Sequence, residues 1–153
     1  MMDRGKSPKW KSAPEVKKKV TVHAQPESNN TLTPAWQFHR IDKDHQKWGW
    51  SKLSSDEFCG VIHEQLCHFE TMTWAEIYRA VADKKSGNMH HNIDTGDIVK
   101  DAQTRLIELR LDDVDQIFSM RLSNKIRLWG IKDGRALRFI WHDANHEICP
   151  RST

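Results

Sequence analysis

The sequence predicts an α+β domain: an antiparallel β-sheet, made of a C-terminal meander and one N-terminal strand, with helices packed on one face. Three observations carry this. Between residues 54 and 110 apolar residues recur at helical spacing, and from Gln116 onward the period changes to two. Asp133-Gly134 sits between two alternating segments, a strong hairpin signal. The resulting order, strand, helices, then meander, is that of an α+β fold. The 153-residue length suits one core-bearing domain, with 37% hydrophobic and 29% charged residues. No apolar run approaches the ~20 residues of a membrane span, and the N-terminus lacks the apolar stretch of a signal peptide, so a cytoplasmic protein without membrane contact is expected. Cys59, Cys67 and Cys149 are odd in number and not closely paired, which fits a reducing compartment.

Residues 1–31 mix Lys, Pro, Ser and Asn without periodicity and read as a mobile basic arm, leaving 32–153 as the single domain. "AWQFHRI" alternates, with Trp36 and Phe38 on one side, and predicts a first strand over 35–41. Trp48 and Trp50 pin the following loop to the body. Ser54 with Glu57 has capping-box spacing, and Phe58, Cys59, Ile62, Leu66 and Phe69 form the stripe of a helix over about 55–70. Thr73 with Glu76 repeats the cap, and Trp74, Ile77, Tyr78 and Val81 continue a second helix until Lys84, Lys85 and Gly87 stop it. "SGNMHHNIDTG" reads as a loop, and Ile98, Ala102, Leu106 and Leu109 predict a third helix over roughly 96–110. "IFSMRL", "KIRLWGIK" and "RALRFIWH" are the meander strands.

A two-residue turn at Asp133-Gly134 pairs Lys132 with Arg135, Trp129 with Arg138, Arg127 with Ile140 and Lys125 with His142. One face then carries Ile126, Leu128, Gly130, Leu137, Phe139 and Trp141 and receives the helices. The other carries Lys125, Arg127, Trp129, Ile131, Ala136, Arg138, Ile140 and His142. Arg121 joins one face or the other according to whether the turn at Ser123-Asn124 has two residues or three.

Charge is segregated along the chain. Lys plus Arg minus Asp plus Glu is +4 over residues 1–31, +2 over 32–53, −7 over 54–115 and +4 over 116–153. Cations beside aromatics on a sheet suit a nucleic-acid backbone and its bases, so Arg121, Lys125, Arg127, Trp129 and Arg138 are the candidate nucleic-acid-binding residues. The plainer reading of those cations is a solvated sheet face.

The element order, the segment "RLSNKIRLWGIKDGRALRFIWHDANHEI" and the closing Asp-x-x-His-Glu-Ile at 143–148 resemble the RelE/ParE superfamily of toxin-antitoxin systems over about residues 34–150, as a divergent member. The resemblance implies a RelE-like toxin, an endoribonuclease hydrolase that cuts RNA, including ribosome-bound mRNA, and is neutralised by a cognate antitoxin protein. A ParE-like, gyrase-directed toxin is the related alternative. It also implies that Lys125, Arg127 and Arg138 hold phosphate and that His142, Asp143 and His146 form a C-terminal polar cluster. Relatives often end the last strand in Tyr where this chain has Cys149, so Trp129 would have to replace that ring.

Metal-independent RNA cleavage needs a base for the 2′-hydroxyl, cations for the phosphate and an acid for the leaving oxygen. Histidine, with an ordinary pKa of ~6.5, suits both proton transfers. The expected catalytic residues are His142 and His146 for proton transfer, with Arg127 and Lys125 stabilising phosphate. Against this, Asp143 and Glu147 can simply cap a turn, and His146 can be a buried, hydrogen-bonded histidine. A non-catalytic module that binds nucleic acid or protein is the rival reading.

Other constellations are weaker. Cys59, His63 and Cys67 lie four apart on the first helix, but a closed zinc site draws four ligands from more than one element, and Cys59 belongs to the apolar stripe. His90 and His91 form a polar loop pair near Asp94. No P-loop, dinucleotide-binding, zinc-protease or serine-hydrolase motif is present, so no cofactor or metal is expected.

Overall fold

The computed structural model describes residues 29–80 and 89–150. They form a five-stranded sheet of β1 (Ala35–Gln37), β2 (His90–Asp94), β3 (Gln116–Arg121), β4 (Arg127–Asp133) and β5 (Ala136–Asp143). The spatial order is β1-β5-β4-β3-β2. β1 runs parallel to β5 and every other pair is antiparallel. The basic arm falls almost wholly on residues 1–28, outside the described ones.

Among the described residues, three helices of six or more residues accompany the sheet. Helix α1 spans 55–69, and Ser54 and Glu57 close the expected capping box at its start. It winds as a π-helix over Phe58–Ile62 before returning to α-helix over His63–Phe69. Helix α2 (Trp74–Arg79) starts at Thr73, whose hydroxyl accepts the Glu76 N–H as the spacing predicted. It ends at Ala80, and the expected stop at Lys84, Lys85 and Gly87 lies outside the described residues. Helix α3 (Lys100–Glu108) is shorter than its prediction because Thr95–Asp97 forms a separate 3-10 turn. Arg110, at φ 58°, then turns the chain left-handed. Among the described residues no helix is long and apolar enough to cross a membrane.

Two corrections concern strands. "HHNID" is not loop but edge strand β2, its five residues paired with β3. Only His90 points fully inward there, so the alternation that marks a strand is nearly invisible in the sequence. The hairpin is also displaced by one residue: Asp133 pairs with Ala136, so Gly134 and Arg135 make the turn, with Gly134 at φ +61°. A bulge between Trp129 and Gly130 shifts the register once more. A Cβ on Gly130 would lie 2.2 Å from the Arg138 carbonyl oxygen, so the close strand approach at the bulge requires glycine.

The consequence is a different division of faces. Trp129 lies opposite Trp141, Leu128 opposite His142 and Arg127 opposite Asp143, in place of the predicted pairs. Phe118, Met120, Leu128, Leu137 and Phe139 pack with Ile62, Leu66 and Phe69 of α1 and with Trp74 and Ile77 of α2. Ile117, Trp129, Ile140 and Trp141 pack instead with Ala102 and Leu106 of α3, Trp48 and Ile148. Adjacent strand residues point to opposite sides except at the bulge, where Ile140 is the extra residue beside Trp141, so these are cores on the two faces of one sheet. The helices are therefore divided between both faces, and the face predicted to be open and cationic is largely a second core.

Candidate nucleic-acid interface

What remains of the cationic face is a corner at the β3–β4 turn. Arg121 and Arg127 are direct cross-strand partners and share a face. The Arg121 Nε and Arg127 Nη1 both donate to the Ser123 carbonyl, at 3.2 and 2.7 Å. Arg127 Nη1 also donates to the Ile126 carbonyl at 3.2 Å, and Arg121 Nη2 to Asn124 Oδ1 at 2.8 Å. The Ser123 hydroxyl accepts the N–H groups of Lys125 and Ile126, which holds the turn in shape. Lys125 is exposed on that turn, and exposed His91 lies opposite Ser119 on the same face as Arg121. The turn thus settles the side of Arg121: it belongs with Arg127.

The field of this corner registers on His90. Buried against the Phe69 ring, His90 accepts the Arg121 N–H at Nδ1. Burial first, then the nearby charges of His91, Arg127 and Arg121, lower its pKa to about 4. His90 is therefore a neutral structural imidazole at pH 7, and His91 is the member of the pair that reaches solvent.

The remaining predicted residues lie elsewhere. Arg138 donates to Gln37 Oε1 at 3.0 Å and Asp133 Oδ2 at 2.7 Å, towards the opposite end of the sheet. Trp129 is fully buried, and its Nε1 has no hydrogen-bond partner among the described residues, so it offers no stacking surface to a base. His142 shares the α1 face with Leu128, opposite in direction to Arg127. Burial pushes its pKa down, while the charges of Glu57 and Asp143 oppose this. Asp143 is buried and accepts the N–H groups of Asn145, Glu147 and Ile148, the turn-capping alternative foreseen in the sequence. That turn places His146 at φ 55°.

Two further features, at Asp42 and His45, were not legible as sites, and a third, the Cys59–His63–Cys67 spacing, was. Asp42, only 2% exposed, accepts two hydrogen bonds from Arg105 at 2.8 Å, one from Trp141 Nε1 at 2.9 Å, and the N–H groups of Asp44 and His45. Burial raises its pKa, but the hydrogen bonds from Arg105 and Trp141 outweigh it and leave the carboxyl at about 2. His45 stacks on Trp48 at 4.3 Å and accepts the N–H groups of Lys47 and Trp48 at Nδ1. Cys59, expected in the apolar stripe, is exposed, as is Cys67, whose sulfur lies 3.6 Å from His63 Nε2. Among the described residues no three His, Cys, Asp or Glu side chains are grouped to hold a metal ion.

No protein-family model matches the chain, and neither does any curated protein or solved structure.

Proposed function

We propose that this chain is a cytoplasmic module that binds the phosphate backbone of RNA at the Arg121–Arg127 corner, without cutting it. The observation that carries the reading is the pair of guanidiniums converging on one carbonyl oxygen at an exposed turn. Like charges placed directly opposite on a sheet destabilise it, which an anion bound at the turn would relieve. A phosphodiester at this turn would accept from the partly exposed Arg121 fork and from exposed Lys125, with Arg127, only 7% exposed, adding charge from behind them. Lys125 extends the positive surface, and exposed His91 adds a polar ring on the Arg121 face. With Trp129 in the core, recognition rests on charge rather than on base stacking.

The endonuclease reading asks for a histidine and cations on one phosphate. His142 and Arg127 project from opposite faces of the sheet, which favours binding over cleavage as the function of the corner. Fluorescence anisotropy of a labelled single-stranded RNA, followed by a gel of the same RNA, tests both. Saturable, salt-sensitive binding that Arg121→Ala and Lys125→Ala weaken, with the RNA intact, is the expected result. Binding indifferent to both substitutions overturns the site, and cleavage that His142→Ala abolishes restores the toxin-like nuclease.

A further inference from the structure

On the other side of the sheet, Glu57, Val61 and Ile62 of α1 line a cavity of about 130 Å³ with Ile126, His142 and Ala144. Two independent features mark it as more than a packing fault. His142 is only 7% exposed, yet its ring nitrogens have no hydrogen-bond partner among the described residues, and they are not among the sealed polar atoms. A nine-tenths buried imidazole, packed beside the Trp50 ring at 6.3 Å but without a hydrogen-bond partner, therefore lines the cavity. The wall opposite is the π-helical stretch Phe58–Ile62, which supplies Val61 and Ile62, and π turns inside α-helices recur at functional sites. A Cβ on Gly60 would meet nothing within 4 Å, so no close approach at that glycine accounts for the widened turn.

The lining also defines what fits. Four of the six side chains are aliphatic, and the only charged one is the Glu57 carboxylate. That charge repels anions and favours a cationic head, the reverse of the arginine corner. A neutral imidazole presents one acceptor nitrogen and one donor. The cavity opens to solvent past exposed Glu57 and Val61, and since roughly 150 Å³ suffices for benzene, the body of a guest here has about five or six non-hydrogen atoms.

We propose that this cavity binds a small aliphatic amine, its body against Val61, Ile62, Ile126 and Ala144, its ammonium donating to His142 and facing Glu57. The guest would take up the hydrogen-bonding capacity that the protein leaves open at His142. The site is independent of the RNA-binding reading, and either can fail alone.

The test is a ¹H–¹⁵N correlation titration of the full chain with isobutylamine, beside isobutanol and isobutyrate at equal ionic strength. Saturable shifts confined to Val61, Ile62, Ile126, Ala144 and the His142 ring are expected, several-fold stronger for the amine than the alcohol and absent for the carboxylate. Glu57→Gln keeps the capping box and should reduce the amine to the level of the alcohol. Val61→Trp, at a position 37% exposed, fills the cavity and should abolish the shifts, and Ile126→Trp repeats the test from the opposite wall. Shifts that do not saturate, that persist in the filled variants of native-like spectrum, or that isobutyrate reproduces equally would overturn the proposal.

Discussion

Replacing Asp42 by Asn tests what ties the loop after β1 to α3 and β5. The carboxylate is buried, bidentate to Arg105 and bonded to the Trp141 indole, so Asn would set amide hydrogens against donors. Removing one partner of a buried ion pair typically costs about 3–5 kcal/mol. Arg105 keeps a second acceptor, Glu108 at 2.8 Å, which places the expected loss near the lower end, about 3 kcal/mol. The pH dependence supplies an independent measure. Asp42 titrates near 2 when folded against 3.8 in a free chain, so its stabilisation is complete above about pH 4 and lost as pH falls to about 2. A depression of nearly two units corresponds to about 2.4 kcal/mol. Urea unfolding from pH 7 to 2 should show an acid limb in the parent that is shallower by that amount in Asp42→Asn and in Arg105→Ala. A loss under about 1 kcal/mol at pH 7, with the acid limb unchanged, would refute the reasoning.

Other outcomes follow from the same geometry. Arg121→Ala should reduce the slope of log affinity against log salt for single-stranded RNA by about 0.7, as expected for one lost phosphate contact; an unchanged slope removes Arg121 from the interface. Trp129→Ala, which empties a fully buried position, should cost about 3–5 kcal/mol in urea unfolding, whereas an exposed stacking tryptophan would lose binding and little stability. His90 titrates near 4 when folded and 6.5 when free, so neutral His90 favours the fold and stability should fall as pH drops from about 6.5 to 4; His90→Gln should remove that limb while leaving the more acidic one. Gly130→Ala forces a Cβ onto the Arg138 carbonyl, and should lower the melting temperature by several degrees, roughly what 1–3 kcal/mol produces.

Much of the architecture was legible because it depends on local chemistry. Ser54 with Glu57 and Thr73 with Glu76 mark helix starts through side chains that satisfy backbone donors, and the structure makes both caps. The α3 stripe was equally clear, since Ala102 and Leu106 bury on one side. Edge strand β2 was not, because a strand with one neighbour and an outward polar row carries no run of β-branched residues. Nor does any composition rule assign α3 to the face opposite α1 and α2. That assignment depends on which strand residues point where, and hence on register.

Register is where the site reading turned. Counting from Asp133-Gly134 with ideal pairing puts Lys125, Arg127, Trp129, Arg138 and His142 on one face, a coherent composition for RNA. The one-residue displacement of the turn moves each partner by two and leaves the faces as predicted, but the bulge at Trp129/Gly130 switches Trp141 and His142 to the other side. Trp129 keeps its side of β4, but Trp141 becomes its partner and α3 covers both. His142 moves to the α1 side and faces an apolar cavity, while Arg127 comes to lie between Arg121 and Asp143 in neighbouring strands. Arg121, whose side the sequence left open, pairs with Arg127 across β3–β4, which the bulge does not touch, next to a turn that their own hydrogen bonds help to define. The cations and the imidazole that one continuous strand pattern placed together therefore belong to two separate surfaces. The proposed RNA contact and the proposed amine cavity stand on opposite faces of the sheet, and the bulge between Trp129 and Gly130 is what put His142 on the second of them.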